Sequence, residues 1–302
     1  MYRVSKETMV YTMSPNNLPV MRVESGSTLV FETCDCFEDQ IKTVDTPFNE
    51  LDWNRINPAT GPVFVKGAEP GDALCVKIQS IKVGDQGVMV TGPDMGVIGD
   101  ELEENSIRIV PIKNNRAIFS EKIELKLNPM VGVIGTAPAR ESIPCGEPGS
   151  HGGNMDCKVI TEDASVYLPV NVPGALLAMG DLHAVMGDGE VSVCGVEVPG
   201  EVTVTVEVIK GHDLPLPMVT TEEAVYTIAS EMSLDEAAQS AVRGMVKILE
   251  GYGLSKDEAI GLMSAGGDLQ ICQVVDPKKT ARFRMSRSIL KALGAPGNGM
   301  DI

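Results

Sequence analysis

The chain has 302 residues, 43% hydrophobic and 22% charged, a globular balance that excludes an intrinsically disordered protein. Its formal net charge of −17 repels phosphate backbones and anionic lipid, which excludes nucleic acid and membrane surfaces as partners. Aromatic residues are only 4%, so the core must be built from Val, Ile, Leu, Met and Ala, and 31 glycines with 19 prolines imply tight turns between short elements.

In chain order, the opening Met1-Tyr-Arg-Val-Ser-Lys-Glu turns polar at once, unlike a secretory leader. No apolar run approaches the ~20 residues that span a bilayer, and the seven cysteines are read as reduced thiols of a cytoplasmic protein. Residues 1–45 read as short strands, among them the alternating Thr28-Leu-Val-Phe-Glu-Thr. After the turn cluster Asn57-Pro-Ala-Thr-Gly-Pro come the strand Val63-Phe-Val-Lys and a second strand over 73–83. Residues 84–118, with several glycines and the acidic Asp100-Glu-Leu-Glu-Glu, read as a loop-rich excursion.

Residues 130–200 interleave Gly, Pro, Asp and His with short apolar runs, and Glu201–Lys210 follows as the clearest strand, with Val202, Val204, Val206 and Val208 on one face. Ser233-Leu-Asp-Glu is a capping box that opens a helix ending at Gly251; Ser255-Lys-Asp-Glu opens another through Met263. A third helix is expected from about Lys279 to Leu293. The fold class expected is α+β, predominantly β: a sandwich or barrel-like metal-site body over 1–215, and an α/β portion over 216–302 packed on it.

Three histidines are few for this length, which makes their surroundings informative. In Gly180-Asp-Leu-His-Ala-Val-Met-Gly-Asp-Gly-Glu, Asp181 and His183 share one face if the segment is extended, and Glu190 returns over them through the Gly187-Asp-Gly turn. Imidazole and carboxylate together suit a borderline or hard cation; a Gly/Asp turn whose side chains bond the backbone is the plainer reading. His151 and Asp156 lie five apart beside Gly152-Gly153, and Asp35 sits between Cys34 and Cys36, where a solvent-side strand position is the plainer reading. No G-x-S-x-G elbow, H-E-x-x-H or Walker loop is present. A Cys157 or Cys145 nucleophile near His151 is disfavoured, because acidic surroundings raise a thiol's pKa.

Asn57-Pro-Ala-Thr-Gly-Pro-Val-Phe-Val-Lys-Gly-Ala-Glu-Pro-Gly-Asp, His151-Gly-Gly-Asn-Met-Asp, the long segment Leu168 to Glu190, and Gly267-Asp-Leu-Gln-Ile-Cys-Gln-Val-Val-Asp-Pro together resemble the acetamidase/formamidase family, in its order and over nearly the whole chain. The resemblance implies a β-rich amidase, often a homodimer, that cleaves short aliphatic amides to carboxylate and ammonia with zinc or calcium. It also implies Asp35, Asp156, His183 and Glu190 as metal ligands, with His151 and Asp181 in reserve. The resemblance implies Glu141 as proton carrier; on the chemistry of amide hydrolysis Glu141 or Glu190 could take that role, and Asn154 with the Gly152 and Gly153 amides could donate to the oxyanion. Rival expectations are hydrolysis of a cyclic or N-substituted amide, and a calcium-stabilised binding module without turnover.

Overall fold

The computed structural model describes residues 1–294. Strands dominate it, and the helices gather near the C-terminal end, as the periodicities predict. One sheet has nine strands in the order Tyr2–Val4, Ser27–Thr33, Gly200–Ile209, Ala73–Val83, Ser165–Pro169, Met218–Thr220, Ala224–Glu231, Lys279–Ser286 and Gly267–Gln273. The second sheet has eleven strands and is centred on Leu177–His183. Both are open; neither closes into a barrel among the described residues.

The two sheets share one core. Phe31, Val76, Val202 and Val204 from the nine-stranded sheet pack in the same cluster as Val63, Val131, Ile134 and Leu182 from the other. The alternation in 200–209 is the cause on one side: Val202, Val204 and Val206 are all fully buried while the threonines between them are not. A second cluster joins the inner face of helix Leu234–Gly251 to the sheet, with Ala241, Met245, Ile248 and Leu249 against Val225, Phe283 and Met285. Ser233 caps that helix: its Oγ accepts from the Glu236 amide at 3.2 Å, and Glu236 Oε2 accepts from the Ser233 amide at 3.2 Å. The helix runs through Gly251, and the chain turns at Gly253 with φ of 91°. The next helix spans Lys256–Gly266, three residues beyond the expected end at Met263.

Two expectations are corrected. Residues 84–118 are mostly sheet: Gln86–Thr91 pairs antiparallel with Ser106–Lys113, which continues to Arg116–Ser120. The period-2 alternation of Val88 and Val90, and of Ile107 and Ile109, was masked by the acidic connection between the two strands. Lys279–Ser286 is a strand, and the helix is only Arg287–Leu293. Ala281, Phe283 and Met285 alternate as in a strand, but Arg282, Arg284 and the lysines give the run a helical look. Arg282 is nonetheless buried inside the sheet.

Candidate active site and metal centre

The strand Leu177–His183 is buried along its whole length. It pairs on one side with Met130–Gly135, which in turn pairs with Gly152–Asn154, and on the other with Ala59–Lys66 and Glu197–Val198. This register sets Glu197 directly opposite His183 and delivers Asp156 just beyond Asn154. The segment carrying Glu190 is held against the end of the strand Gly267–Gln273, the Gly189 amide donating to the Cys272 carbonyl at 2.8 Å and the Val274 amide to the Gly189 carbonyl at 3.2 Å.

Around His183 Nε2 stand four carboxylates: Glu197 Oε1 at 3.2 Å, Asp181 Oδ1 at 3.4 Å, Asp156 Oδ1 at 3.6 Å and Glu190 Oε1 at 3.8 Å. All five residues are buried. Two sets have ligand atoms within 4.8 Å of one another, Asp156–His183–Glu190 and Cys36–Asp181–Glu197. Both oxygens of Asp156, Oδ1 of Asp181, Oε2 of Glu197 and Nδ1 of His183 have no hydrogen-bond partner. Buried carboxylate oxygens without donors are costly unless a cation neutralises them, so the residues present fit a divalent ion.

The backbone is shaped for this cluster. Asp156, Asp181 and Glu190 have φ of 42°, 54° and 48°, a left-handed conformation that costs energy in a non-glycine residue and concentrates at functional sites. Gly132 leaves room for two of them, since a Cβ there would lie 2.6 Å from Asp156 Oδ1 and 2.9 Å from Asp181 Oδ2. The electrostatics follow from crowding. Burial, then the charge of Asp276, pushes the Asp156 carboxyl well up; burial raises Glu190 and Glu197 in the same direction. Burial opposes ionisation of Asp181 as well, but His183 beside it outweighs this and holds it low. His183 is raised, Asp181 overcoming the burial that favours its neutral form.

Asp181, Glu190 and Glu197 of the cluster line a cavity of about 530 Å³, while Asp156 and His183 lie outside its lining. Cys36, Asn57, Asn154, Asp181, Glu190, Glu197 and Asp276 line its polar part. Asn154 Nδ2 donates to Asp276 Oδ2 at 3.1 Å and Asn57 Nδ2 to Asp181 Oδ2 at 3.3 Å. Burial first, with Asp181 adding to it, pushes Asp276 up to about 8.

Of the residues singled out from the sequence, Asp156, Asp181, His183 and Glu190 meet in this cluster, and Asn154 lies beside it. Asp35 is buried, but its Oδ1 accepts from the amides of Phe37 at 3.0 Å and Asp39 at 2.8 Å, closing the turn that carries Cys36 and Phe37 to the cavity. His151 is buried with neither ring nitrogen partnered, near the Glu147–Lys278 ion pair, and burial lowers it to about 4. Neither Asp35 nor His151 belongs to the two ligand sets among the described residues. Glu141 is exposed, and Glu147 rather than Glu141 lines the cavity.

Cys145 is pushed up to about 12 by burial. Cys157 departs from the expected rise: burial opposes its ionisation, but Cys272 and the Arg282 guanidinium outweigh it and bring the thiol to about 7. It is wholly buried and is not among the residues that line the cavity. Sequence reasoning missed Glu197, Cys36 and Asp276. Glu197 had a signal, an acid inside the apolar run Val196-Glu-Val198; Asp276 was visible only as part of a motif.

The model of the acetamidase/formamidase family matches residues 5–145 and 141–285. The chain belongs to the acetamidase/formamidase family. It superposes on a Bacillus halodurans acetamidase with a TM-score of 0.95 at 46% identity, over 97% of this chain and 100% of that one. A Thermoanaerobacter tengcongensis protein described as a predicted acetamidase/formamidase gives 0.95 at 51%, over 97% and 98%. A Schizosaccharomyces pombe protein with a provisional formamidase name is 28% identical over 65% of this chain, and the match spans 63% of that protein's length.

Proposed function

We propose that this chain hydrolyses the C–N bond of carboxamides, releasing carboxylate and ammonia, at a site that holds a divalent cation. The observation that carries the reading is the convergence of four buried carboxylates on His183 Nε2, three of them lining a cavity, with oxygens that no protein donor satisfies. The formamidase and acetamidase names of the relatives agree with it.

Asp156, His183 and Glu190 would hold the ion, with Cys36, Asp181 and Glu197 beside them. A donor set of imidazole, thiol and carboxylate suits zinc better than calcium, which prefers oxygen alone. When bound, such an ion polarises the amide carbonyl and lowers the pKa of a bound water.

The remaining steps belong to the chain. Glu190 and Asp276 both face the cavity; with Glu190 kept as a ligand, Asp276 in this reading takes the proton from water and returns it to the leaving nitrogen, and the exposed Glu141 does not. Burial raises the Asp276 carboxyl, which favours its accepting a proton and passing it to the departing amine. Asn154 gives one N–H to Asp276 and offers the other to the oxyanion; the Gly152 amide is already given to the Gly149 carbonyl at 3.1 Å, and neither Gly152 nor Gly153 lines the cavity.

The test is ammonia release from formamide and acetamide, before and after chelation, with zinc or calcium restored. Release abolished by chelation and restored by one ion is the expected result. Undiminished release from protein verified as metal-free would overturn the metal's role.

A further inference from the structure

The cavity is far larger than formamide or acetamide needs. These molecules have three and four non-hydrogen atoms; at about one water's share of liquid volume per atom, ~30 Å³, acetamide fills only a fraction of the 530 Å³ present. The volume falls instead among pockets of ~300–1,000 Å³ that enclose ligands of drug size.

The lining is divided by chemistry. Asn154, Asp181, Glu190 and Glu197 are buried and, with the part-exposed Asn57 and Asp276, make the polar side, while Glu147 is paired with Lys278 at 2.9 Å. Phe37, Trp53, Ile56, Val90, Met95 and Val193 supply an apolar wall. These six come from separate parts of the chain: the turn after Asp35, the segment around 53–56, the strand Gln86–Thr91 with the loop behind it, and the loop after Glu190. Trp53 is 42% exposed, an unusual position for a large ring, and it is held by contact with Phe48 at 5.2 Å between centroids. Phe37 and Val90 are already buried, but Trp53 is exposed and Ile56, Met95 and Val193 are part-exposed, and a small polar amide would leave that part of the wall in water.

We infer that the substrate is a neutral primary carboxamide whose acyl substituent is apolar and larger than methyl, seated against the Phe37, Trp53, Ile56, Val90, Met95 and Val193 wall. The inference rests on the amidase reading and names the substrate class of the same site. Three features fix the chemistry. The apolar wall gains affinity with each methylene buried, about fourfold at the usual strength of the hydrophobic effect. The acidic side and the net charge of −17 disfavour an anionic substituent. The reacting amide must reach the side of the cavity lined by Asn154, Asp181, Glu190, Glu197 and Asp276, so an apolar group on nitrogen would be pressed among polar and charged side chains; the bulk therefore belongs on the acyl carbon.

The experiment is kcat/KM of the metal-loaded enzyme for formamide, acetamide, hexanamide and phenylacetamide, with N-benzylacetamide as the amine-side arm and the monoamide of adipic acid as the charge control. The expected result is a rise of at least tenfold from acetamide to phenylacetamide or hexanamide, with the other two amides below both. Trp53→Ala is expected to reduce the phenylacetamide-to-acetamide ratio at least fivefold. A flat or falling series would overturn the inference while leaving the amidase reading intact. Faster cleavage of N-benzylacetamide would overturn the acyl assignment. Turnover of no amide would overturn the amidase reading alone; calorimetric binding of phenylacetamide against acetamide would then decide, tenfold tighter binding supporting an apolar-amide chamber and equal binding overturning it.

Discussion

Spacing two apart in Leu177–His183 paired Asp181 with His183 on one face, and the two meet at 3.4 Å, although Asp181, with φ of 54°, departs from the extended backbone that spacing assumes. Glu197 was not legible from spacing, because its place opposite His183 is a matter of pairing between strands that no local pattern encodes. If Glu197 belongs to the metal centre, Glu197→Gln keeps its shape but removes its charge, and zinc affinity should fall about 10- to 100-fold, as when a group that orients metal ligands is altered. Competition with a chromogenic chelator measures this; unchanged affinity would place Glu197 outside the centre. Asn154 sits where its amide can serve both Asp276 and the oxyanion. Asn154→Ala should lower kcat on the order of 10²-fold, as loss of one oxyanion donor does elsewhere, with little change in melting temperature. Glu141→Gln, at an exposed position, should leave kcat/KM within about twofold, in keeping with surface substitutions away from special features.

Elements with a strong local signature were read correctly: the capped helix Leu234–Gly251 and the valine-striped strand Gly200–Ile209 both announce themselves. Lys279–Ser286 did not, and the reason is Arg282. It is wholly buried in the sheet, donates to Asp188 at 2.9 and 2.8 Å, and reaches Gln270 at 2.8 Å. Asp188 lies two residues before Glu190, so the charged residue that disguised the strand also fastens the loop of a candidate ligand to it. Arg282→Met keeps the volume and cuts that tie. Asp188 stays partly solvated and retains Lys158 at 2.9 Å, so the stability loss should be about 1–3 kcal/mol, below the ~3–5 of a fully buried pair broken on one side. Zinc affinity should weaken alongside, because Glu190 loses its anchor. Denaturant unfolding and metal titration on the same variant separate the two effects, and intact affinity would mean the backbone bonds to Cys272 and Val274 suffice.

At the scale of the whole molecule, the acidic cluster makes folding depend on what neutralises it. Without metal, Asp156, Glu190, Glu197 and Asp276 all have carboxyls raised in the folded state, Asp276 to about 8. In the unfolded chain such groups ionise near 4. Between these limits the folded form binds more protons than the unfolded form, so the slope of stability with pH is negative. Stability of the metal-free protein should therefore be lost progressively as pH rises from about 4 towards 8. His183, also raised, acts in the same direction above its unfolded pKa, near 6.5, whereas Asp181, held low, contributes stability that is already complete above about pH 4. Metal reverses the trend, because carboxylates that ligate an ion are stabilised in their charged form and binding releases protons. The difference in stability between metal-loaded and metal-free protein should widen from pH 5 to pH 8, passing about 2.7 kcal/mol once free ion exceeds its dissociation constant a hundredfold. His151 does not enter that difference if it stays neutral, as its pKa of about 4 requires. Thermal unfolding at matched pH with chelator or with zinc measures the gap; a gap constant across this range would mean that these carboxylates do not titrate with the metal.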